Sequence, residues 1–424
     1  MSGTLHLTLI CSFWAALALM VYTFVGYPVW IYASVRLHSR SWRQEPILPT
    51  VSIVLAVHNG ATLVRRQISR LLLLDYPSSL LNIIVVSDGS TDGTNEILSS
   101  IRHPSVRIIL CQERRGKAAA VNAGLQNAKS EVVLFVDIRP RPARNSLRLL
   151  VSNFADPSVG CVTGELILRD ESHTAGAKAV GGLYWRYEQW IRKCESQVDS
   201  PVGVYGGFYA VRRELTRLLP EATILDDMLL PLSVIRQGYR SVIDVRARVY
   251  DVWPKSLQIE FKRKVRTLAG HFQLLQLAPW LLSSENRVRF ELVSHRLLRL
   301  LVPALLGILL ATSTMLAIRS RLYGALLATQ LLLYMSAALG ARCGLPIVVR
   351  IAGAARAFCL MNVAVVVGFY KFLSTRGPLW NIWIPTDPSY AATSDENIEA
   401  PLPTVVVNHR VKSITVNQTD RSAN

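Results

Sequence analysis

The sequence contains no CxxC pair: its six cysteines are scattered at positions 11, 111, 161, 194, 343 and 359. Such spacing suggests neither a zinc site nor a disulfide framework, and a reducing compartment suits the globular part. Charge is also scarce. Only 18% of residues are Asp, Glu, Lys or Arg, against roughly 25% in an average soluble domain. Half the residues are hydrophobic and mean hydropathy is +0.28, which excludes a disordered or fibrous chain. No internal repeat is visible. Acidic residues are the rarer sign, 29 against 47 basic ones among 424 residues, leaving a net charge of +18. That excess suits either nucleic acid or the cytoplasmic face of an anionic membrane. No nucleic-acid recognition module is present, so membrane lipids are the expected partner and nucleic acid is not.

Residues 1–35 hold no Asp, Glu, Lys or Arg at all. The run outlasts the roughly 7–15-residue core of a signal peptide, so it reads as a retained membrane helix; the alternative is a signal peptide cleaved near Ala16 or Ala18. Arg36, Arg40 and Arg43 follow it, which places the next segment in the cytoplasm and the N-terminus outside. Residues 300–318 and 322–341 are free of those four residue types too, each near the ~20 residues that cross about 30 Å of hydrocarbon, with a turn at Arg319, Ser320 and Arg321. Residues 351–371 are apolar but include Arg356, and read either as a crossing or as an interfacial amphipathic segment. The expected layout is a membrane helix and basic linker over 1–45, a cytoplasmic domain over 46–291, a membrane region over 292–374, and a polar, disordered tail over 375–424. This describes a multi-pass protein of the cell membrane.

Within 46–291, short apolar runs at 51–57, 82–87, 106–110 and 131–136 alternate with helical patterns. Alternation of this kind predicts an α/β domain with a mostly parallel sheet covered by helices on both faces. Such sheets bind ligands beyond the carboxyl ends of their strands. Polar clusters fall there: His58 and Asn59 after the first run, Asp88 to Thr94 after the second, Arg114 to Lys117 after the third, and Asp137 after the fourth. Asp88, followed by Gly89 and hydroxyl residues, suits a nucleoside, or simply a turn with Asp92 as helix cap. Gly116 and Lys117 at a helix start suit a diphosphate. Asp137 offers the hard oxygen that a divalent ion prefers.

Further on, Glu195 precedes the loop Val202-Gly203-Val204-Tyr205-Gly206-Gly207, whose glycines allow close packing. Asp226 and Asp227 open another helical pattern and offer a base for a hydroxyl proton, or else first-turn acids that only complement the helix dipole. Glu260 to Thr267 is a basic stretch that either neutralises phosphates or lies along the bilayer.

In order, VSIVLAVHNG, VVSDGSTDGT, RRGKAAAVNAGL, VVLFVDIRP, GVYGGFYAVRR, LDDM and FKRKVRT resemble the motifs of the membrane-bound glycosyltransferases of family 2, related to chitin, hyaluronan, cellulose and poly-N-acetylglucosamine synthases. The resemblance spans residues 51–275. It implies a GT-A catalytic fold and inverting transfer from a UDP-sugar donor to a lipid-linked or polysaccharide acceptor, with export through a partner subunit as an option. It also implies roles. His58, Asp88 and Lys117 would line the nucleotide, and Asp137 would sit at the diphosphate with Mg²⁺ or Mn²⁺. Asp227, beside Asp226, would be the general base. Arg263 and Arg266 would hold the leaving diphosphate, and Glu195, Gly206 and Gly207 would border the acceptor. Two motifs depart from the family. Its Asp-x-Asp appears as Asp137-Ile138-Arg139, a cation replacing a carboxylate, and its Gln-x-x-Arg-Trp appears as Arg263-Lys264-Val265-Arg266-Thr267. These departures leave a second reading, a catalytically silent scaffold or binding subunit that keeps the fold.

Overall fold

The computed structural model describes residues 3–169, 175–252, 257–339 and 346–379. Helices α1 (Gly3–Val21) and α2 (Tyr27–His38) are joined by a π-helical turn at Tyr22–Gly26. The chain then alternates: β1 (Val51–Val57), α3 (Ala61–Leu72), β2 (Leu81–Asp88), α4 (Thr94–Ser100), β3 (Val106–Cys111), α5 (Lys117–Asn127) and β4 (Val132–Val136). Next come β5 (Arg141–Pro142), α6 (Ser146–Val151), β6 (Val159–Arg169), α7 (Ala175–Val198), β7 (Phe208–Arg212), α8 (Asp226–Arg236), β8 (Arg240–Val252) and α9 (Leu257–Leu277). The C-terminal side adds α10 (Arg289–Glu291), a π-helical turn at Leu292–Leu297, α11 (Leu298–Ala317), α12 (Arg321–Leu339) and α13 (Pro346–Ser374).

Strand β1 illustrates why the centre folds as a covered sheet. Its sequence VSIVLAV is apolar on both faces: Ile53, Leu55 and Val57 enter one core while Val54 enters the other. Burial of each such side chain contributes roughly 1.5–3 kcal/mol. Helix α3 complements one face by burying Val64, Ile68 and Leu71, a stripe at helical spacing.

Among the described residues eight strands form one sheet in the order β3-β2-β1-β4-β7-β6-β8-β5. Strands β3, β2, β1 and β4 are mutually parallel, as the sequence pattern predicts. The other half differs: β7 is antiparallel to both β4 and β6, β8 is parallel to β6, and β5 is antiparallel to β8. Six of the eight strands therefore run the same way, so the sheet is mostly parallel as expected, with β7 and β5 reversed. This inversion positions the site. Because Phe208 at the start of β7 pairs with Val136 at the end of β4, the glycine loop before β7 lies on the same rim as the carboxyl ends of the four parallel strands.

Three helical stretches among the described residues are long and apolar enough to cross a membrane: Gly3–His38, Arg289–Ala317 and Ile351–Ser374. Helices α11 and α12 pack together as the expected hairpin, α1 packs on α11, and α13 packs on α12 and on α9. Of the tail expected over 375–424, residues 380–424 lie outside the described residues.

Candidate functional site

The site is built from loops that brace one another. Gly89 adopts φ +57°, and a Cβ there would stand 2.4 Å from the backbone nitrogen of Arg114. Only glycine lets the β2–α4 loop approach the β3–α5 loop this closely. Asp88 then locks the contact: its Oδ1 accepts the Arg115 N–H at 2.7 Å and its Oδ2 the Gly116 N–H at 2.8 Å. Asp88 is buried, and each of its oxygens accepts one bond from the backbone that presents Lys117. His58 joins the brace by donating from Nδ1 to the Asp88 carbonyl at 2.7 Å. Asp92 reaches across to accept the Ala61 N–H at 3.0 Å and caps α3 as well as the Thr94 amide at 3.2 Å.

Lys117, the first residue of α5, projects between two carboxylates. Its Nζ lies 3.0 Å from Asp137 Oδ1 and 3.1 Å from Asp226 Oδ2. Burial opposes the ammonium charge, but Asp137, Asp226 and Asp227 outweigh it and raise its pKa. Asp227, next along α8, behaves oppositely. Burial, followed by the negative charge of Asp226, pushes its carboxyl up to about 6, against the pull of Lys117 and Arg192. A carboxylate poised near neutrality suits proton abstraction.

The glycine loop seats that carboxylate. A Cβ on Gly206 would come within 2.8 Å of both Cβ and Oδ2 of Asp227, so the side chain packs directly on glycine backbone. The Val204 N–H donates to the Asp227 carbonyl at 3.1 Å, and the Gly207 carbonyl accepts the Asp137 N–H at 3.3 Å. Thus one loop touches the strand-end aspartate and the helix-start aspartate together. From α9, Arg266 faces Asp226, Asp137 and Asp227, with burial drawing its pKa down; its Nε is buried without a hydrogen-bond partner. Arg263, one turn earlier, pairs with Glu260 at 2.7 Å.

The structure therefore gathers Lys117, Asp137, Asp226, Asp227, Gly206 and Arg266 at one rim, with Gly207 behind Asp137 and with Asp88 and His58 one loop away. Glu195 is a correction. It is 1% exposed, its Oε1 accepts from Tyr27 and His295, and its Oε2 accepts the Val202 N–H at 3.4 Å. It stands in a buried junction between helices rather than on an acceptor face. The cation of Asp137-Ile138-Arg139 is likewise committed: Arg139 binds Asp251 of β8 at 2.8 Å. Sequence reasoning missed Asp251, Arg192 and Gln67. Gln67 donates to the carbonyls of Asp137 at 3.1 Å and Pro140 at 2.9 Å and fixes the strand-end loop. Its signal was a polar residue on the buried stripe of α3.

The donor set bears on a divalent ion. Among the described residues no group of three His, Cys, Asp or Glu side chains is arranged to hold a metal. Asp137 offers a carboxylate at the sheet rim that is 44% exposed although one oxygen meets Lys117. Mg²⁺ is commonly held by one or two carboxylates together with substrate phosphates, so Asp137 fits an ion that arrives with the nucleotide.

Residues 52–218 match the model of glycosyl transferase family 2. A probable glycosyltransferase, YdaM of Bacillus subtilis (strain 168), is 23% identical over 264 residues, which cover 59% of this chain and 63% of that protein. A poly-beta-1,6-N-acetyl-D-glucosamine synthase of Staphylococcus aureus (strain COL) is 25% identical over 233 residues, 54% of this chain and 56% of that protein. The chain thus spans somewhat over half the length of these curated relatives. Among solved structures, a mannosyltransferase of Pyrobaculum calidifontis, in complex with GDP-Man and Mn²⁺, superposes with a TM-score of 0.66 at 24% identity, covering 85% of this chain and 99% of that one. That likeness bears out the GT-A α/β fold.

Proposed function

With residues 52–218 a family 2 glycosyltransferase domain, we propose that the chain is a membrane enzyme that moves a sugar, with inversion, from a nucleotide diphosphate sugar of the UDP class to a hydroxyl of a lipid-linked or polysaccharide acceptor. The observation that carries this reading is the Lys117 bridge between Asp137 and Asp226 beside the loop-seated Asp227. It unites a cation for the diphosphate and a base for the hydroxyl at one sheet rim. The poly-beta-1,6-N-acetyl-D-glucosamine synthase relative supports a polysaccharide acceptor, the three apolar helical stretches support membrane attachment, and Arg36, Arg40 and Arg43 before the catalytic domain support its cytoplasmic placement.

In this mechanism the acceptor oxygen attacks the anomeric carbon from the face opposite the diphosphate, Asp227 takes the hydroxyl proton, and the bond to the diphosphate breaks. Negative charge grows on the departing nucleotide. Lys117 and Arg266 stand where preorganised cations lower the energy of that charge, and they need not reorganise as it forms. A Mg²⁺ or Mn²⁺ ion held by Asp137 and the diphosphate would add Lewis-acid stabilisation there. The proton affinity of Asp227, raised by burial and by Asp226, suits it to gain that proton as the hydroxyl loses it.

The test is Asp227→Asn in the purified full chain, scored by UDP release from a panel of UDP-sugars. General-base assistance is typically worth ~10²–10⁴-fold, so turnover falls by that order while UDP binding persists. Wild-type turnover in this variant removes Asp227 from the mechanism. No UDP release by the unmodified chain with any donor and acceptor, in the presence of Mn²⁺, favours the silent scaffold, which the Arg139 substitution would suit.

A further inference from the structure

Helix α7 carries a buried polar junction that the transfer reaction does not use. The Tyr27 hydroxyl, just past the π-helical turn between α1 and α2, donates to Glu195 Oε1 at 2.7 Å. His295 Nδ1, on the π-helical turn before α11, bonds the same oxygen at 2.6 Å, and its Nε2 lies 3.3 Å from Glu188. The two π-turns touch directly, Tyr22 Oη lying 2.8 Å from Ser294 Oγ. Local widening of this kind recurs at functional positions in helices. Tyr27, Glu195 and His295 are essentially inaccessible, so water does not replace a lost bond.

From α7 the junction leads to the site. Glu195 Oε2 accepts the Val202 N–H at 3.4 Å, and one turn earlier Arg192 Nη2 donates to the Gly203 carbonyl at 3.0 Å. Val202 and Gly203 open the loop whose Val204 N–H holds the Asp227 carbonyl and whose Gly206 backs the Asp227 carboxylate. The connection is continuous from two membrane-side helices, through two side chains of α7, to the seat of one carboxylate.

We infer that Arg192 and Glu195 are positioning residues for the general base: through residues 202–206 they convert the placement of the helices bearing Tyr27 and His295 into the placement of the Asp227 carboxylate. The inference rests on the reading of Asp227 as that base. Arg192 acts in two ways, by the bond to Gly203 and by its charge, which draws protons away from Asp227. The other groups facing Asp227 are Asp226 on α8, Lys117 on α5, Asp137 after β4, Tyr209 on β7 and Arg266 on α9; none of them changes when Arg192 is replaced.

The experiment uses the full chain in nanodiscs, with kcat, donor KM and the pH profile of kcat measured for each variant. Arg192→Met keeps the bulk of the side chain but removes both bond and charge. A displaced catalytic group typically loses up to ~10²-fold, so kcat drops about 10- to 100-fold, donor KM stays within about twofold, and the acid limb moves to higher pH. Arg192→Lys restores the charge and returns the acid limb to its wild-type position. Tyr27→Phe deletes one oxygen in a membrane-side helix and lowers kcat severalfold with the acid limb unmoved; it decides the question if Arg192→Met does not fold. Unchanged kcat in Tyr27→Phe, or an Arg192→Met chain that folds and whose only change is in donor KM, overturns the inference. Asp227→Asn in the same assay reads the base assignment separately, so failure of that reading is distinguished from failure of the coupling.

Discussion

Replacing Lys117 by Met probes the centre of the site. The ammonium serves two carboxylates of different exposure: the Asp137 side chain is 44% exposed, while that of Asp226 is 4% exposed. The first bridge is screened by water, and pairs of that kind contribute about 0.2–1 kcal/mol. The second is a buried pair, and stripping one partner from such a pair costs about 3–5 kcal/mol because the other charge is left uncompensated. Lys117 is itself 30% exposed, which admits some water and moves the expectation to the lower end, about 3 kcal/mol. Chemical unfolding of the purified full chain in detergent measures this directly. The decisive comparison is Lys117→Met/Asp226→Asn, which removes the stranded charge with its partner. If stranding is the cause, the double variant regains most of the loss, a coupling within the roughly 0.5–3 kcal/mol seen for interacting neighbours. A loss below about 1 kcal/mol for Lys117→Met, or a double variant whose loss is the sum of the singles, refutes the assignment of Lys117 as the buried counter-ion.

The raised proton affinity of Asp227, up to about 6, gives kcat an acid limb near that pH, with activity rising as the carboxyl ionises; a limb near pH 4, measured at saturating donor, contradicts the environment described. Stability moves the other way. Between the ordinary carboxyl range near pH 4 and about 6, the native state holds a proton at Asp227 that the unfolded chain has released, so this group's contribution to unfolding free energy falls as pH rises; Asp227→Asn flattens that part of the pH–stability curve. Gly206→Ala places a methyl group 2.8 Å from the Asp227 carboxylate. Overpacking of this kind costs roughly 1–3 kcal/mol, and kcat falls more than UDP affinity does, as steady-state kinetics beside a UDP-binding titration will show.

Much of the framework is readable from residue order. The four parallel strands, the helices between them, the α11–α12 hairpin and the polar residues at the strand ends all follow from local periodicity, because a half-buried helix and a fully buried strand each impose a spacing on their own residues. Asp137, Asp226, Asp227 and Lys117 are identifiable as chemistry-bearing residues for the same reason: they follow apolar runs or begin helices.

Their partners are a different matter. Glu195 reads as an acceptor residue by its place before the glycine loop, yet it serves Tyr27 and His295, respectively 168 positions before it and 100 positions after it. Asp88 reads as a nucleoside ligand from its place after β2, while its hold on the Arg115–Gly116 backbone comes only from the fold. Arg139 looks like a misplaced cation until β8 brings Asp251 to it. The amino-acid order determined which segments are buried, which are charged and what each loop has to offer; tertiary structure decided who faces whom, since the antiparallel insertion of β7 and the packing of the apolar helices α2 and α13 onto α7 are long-range crossings that no local spacing encodes.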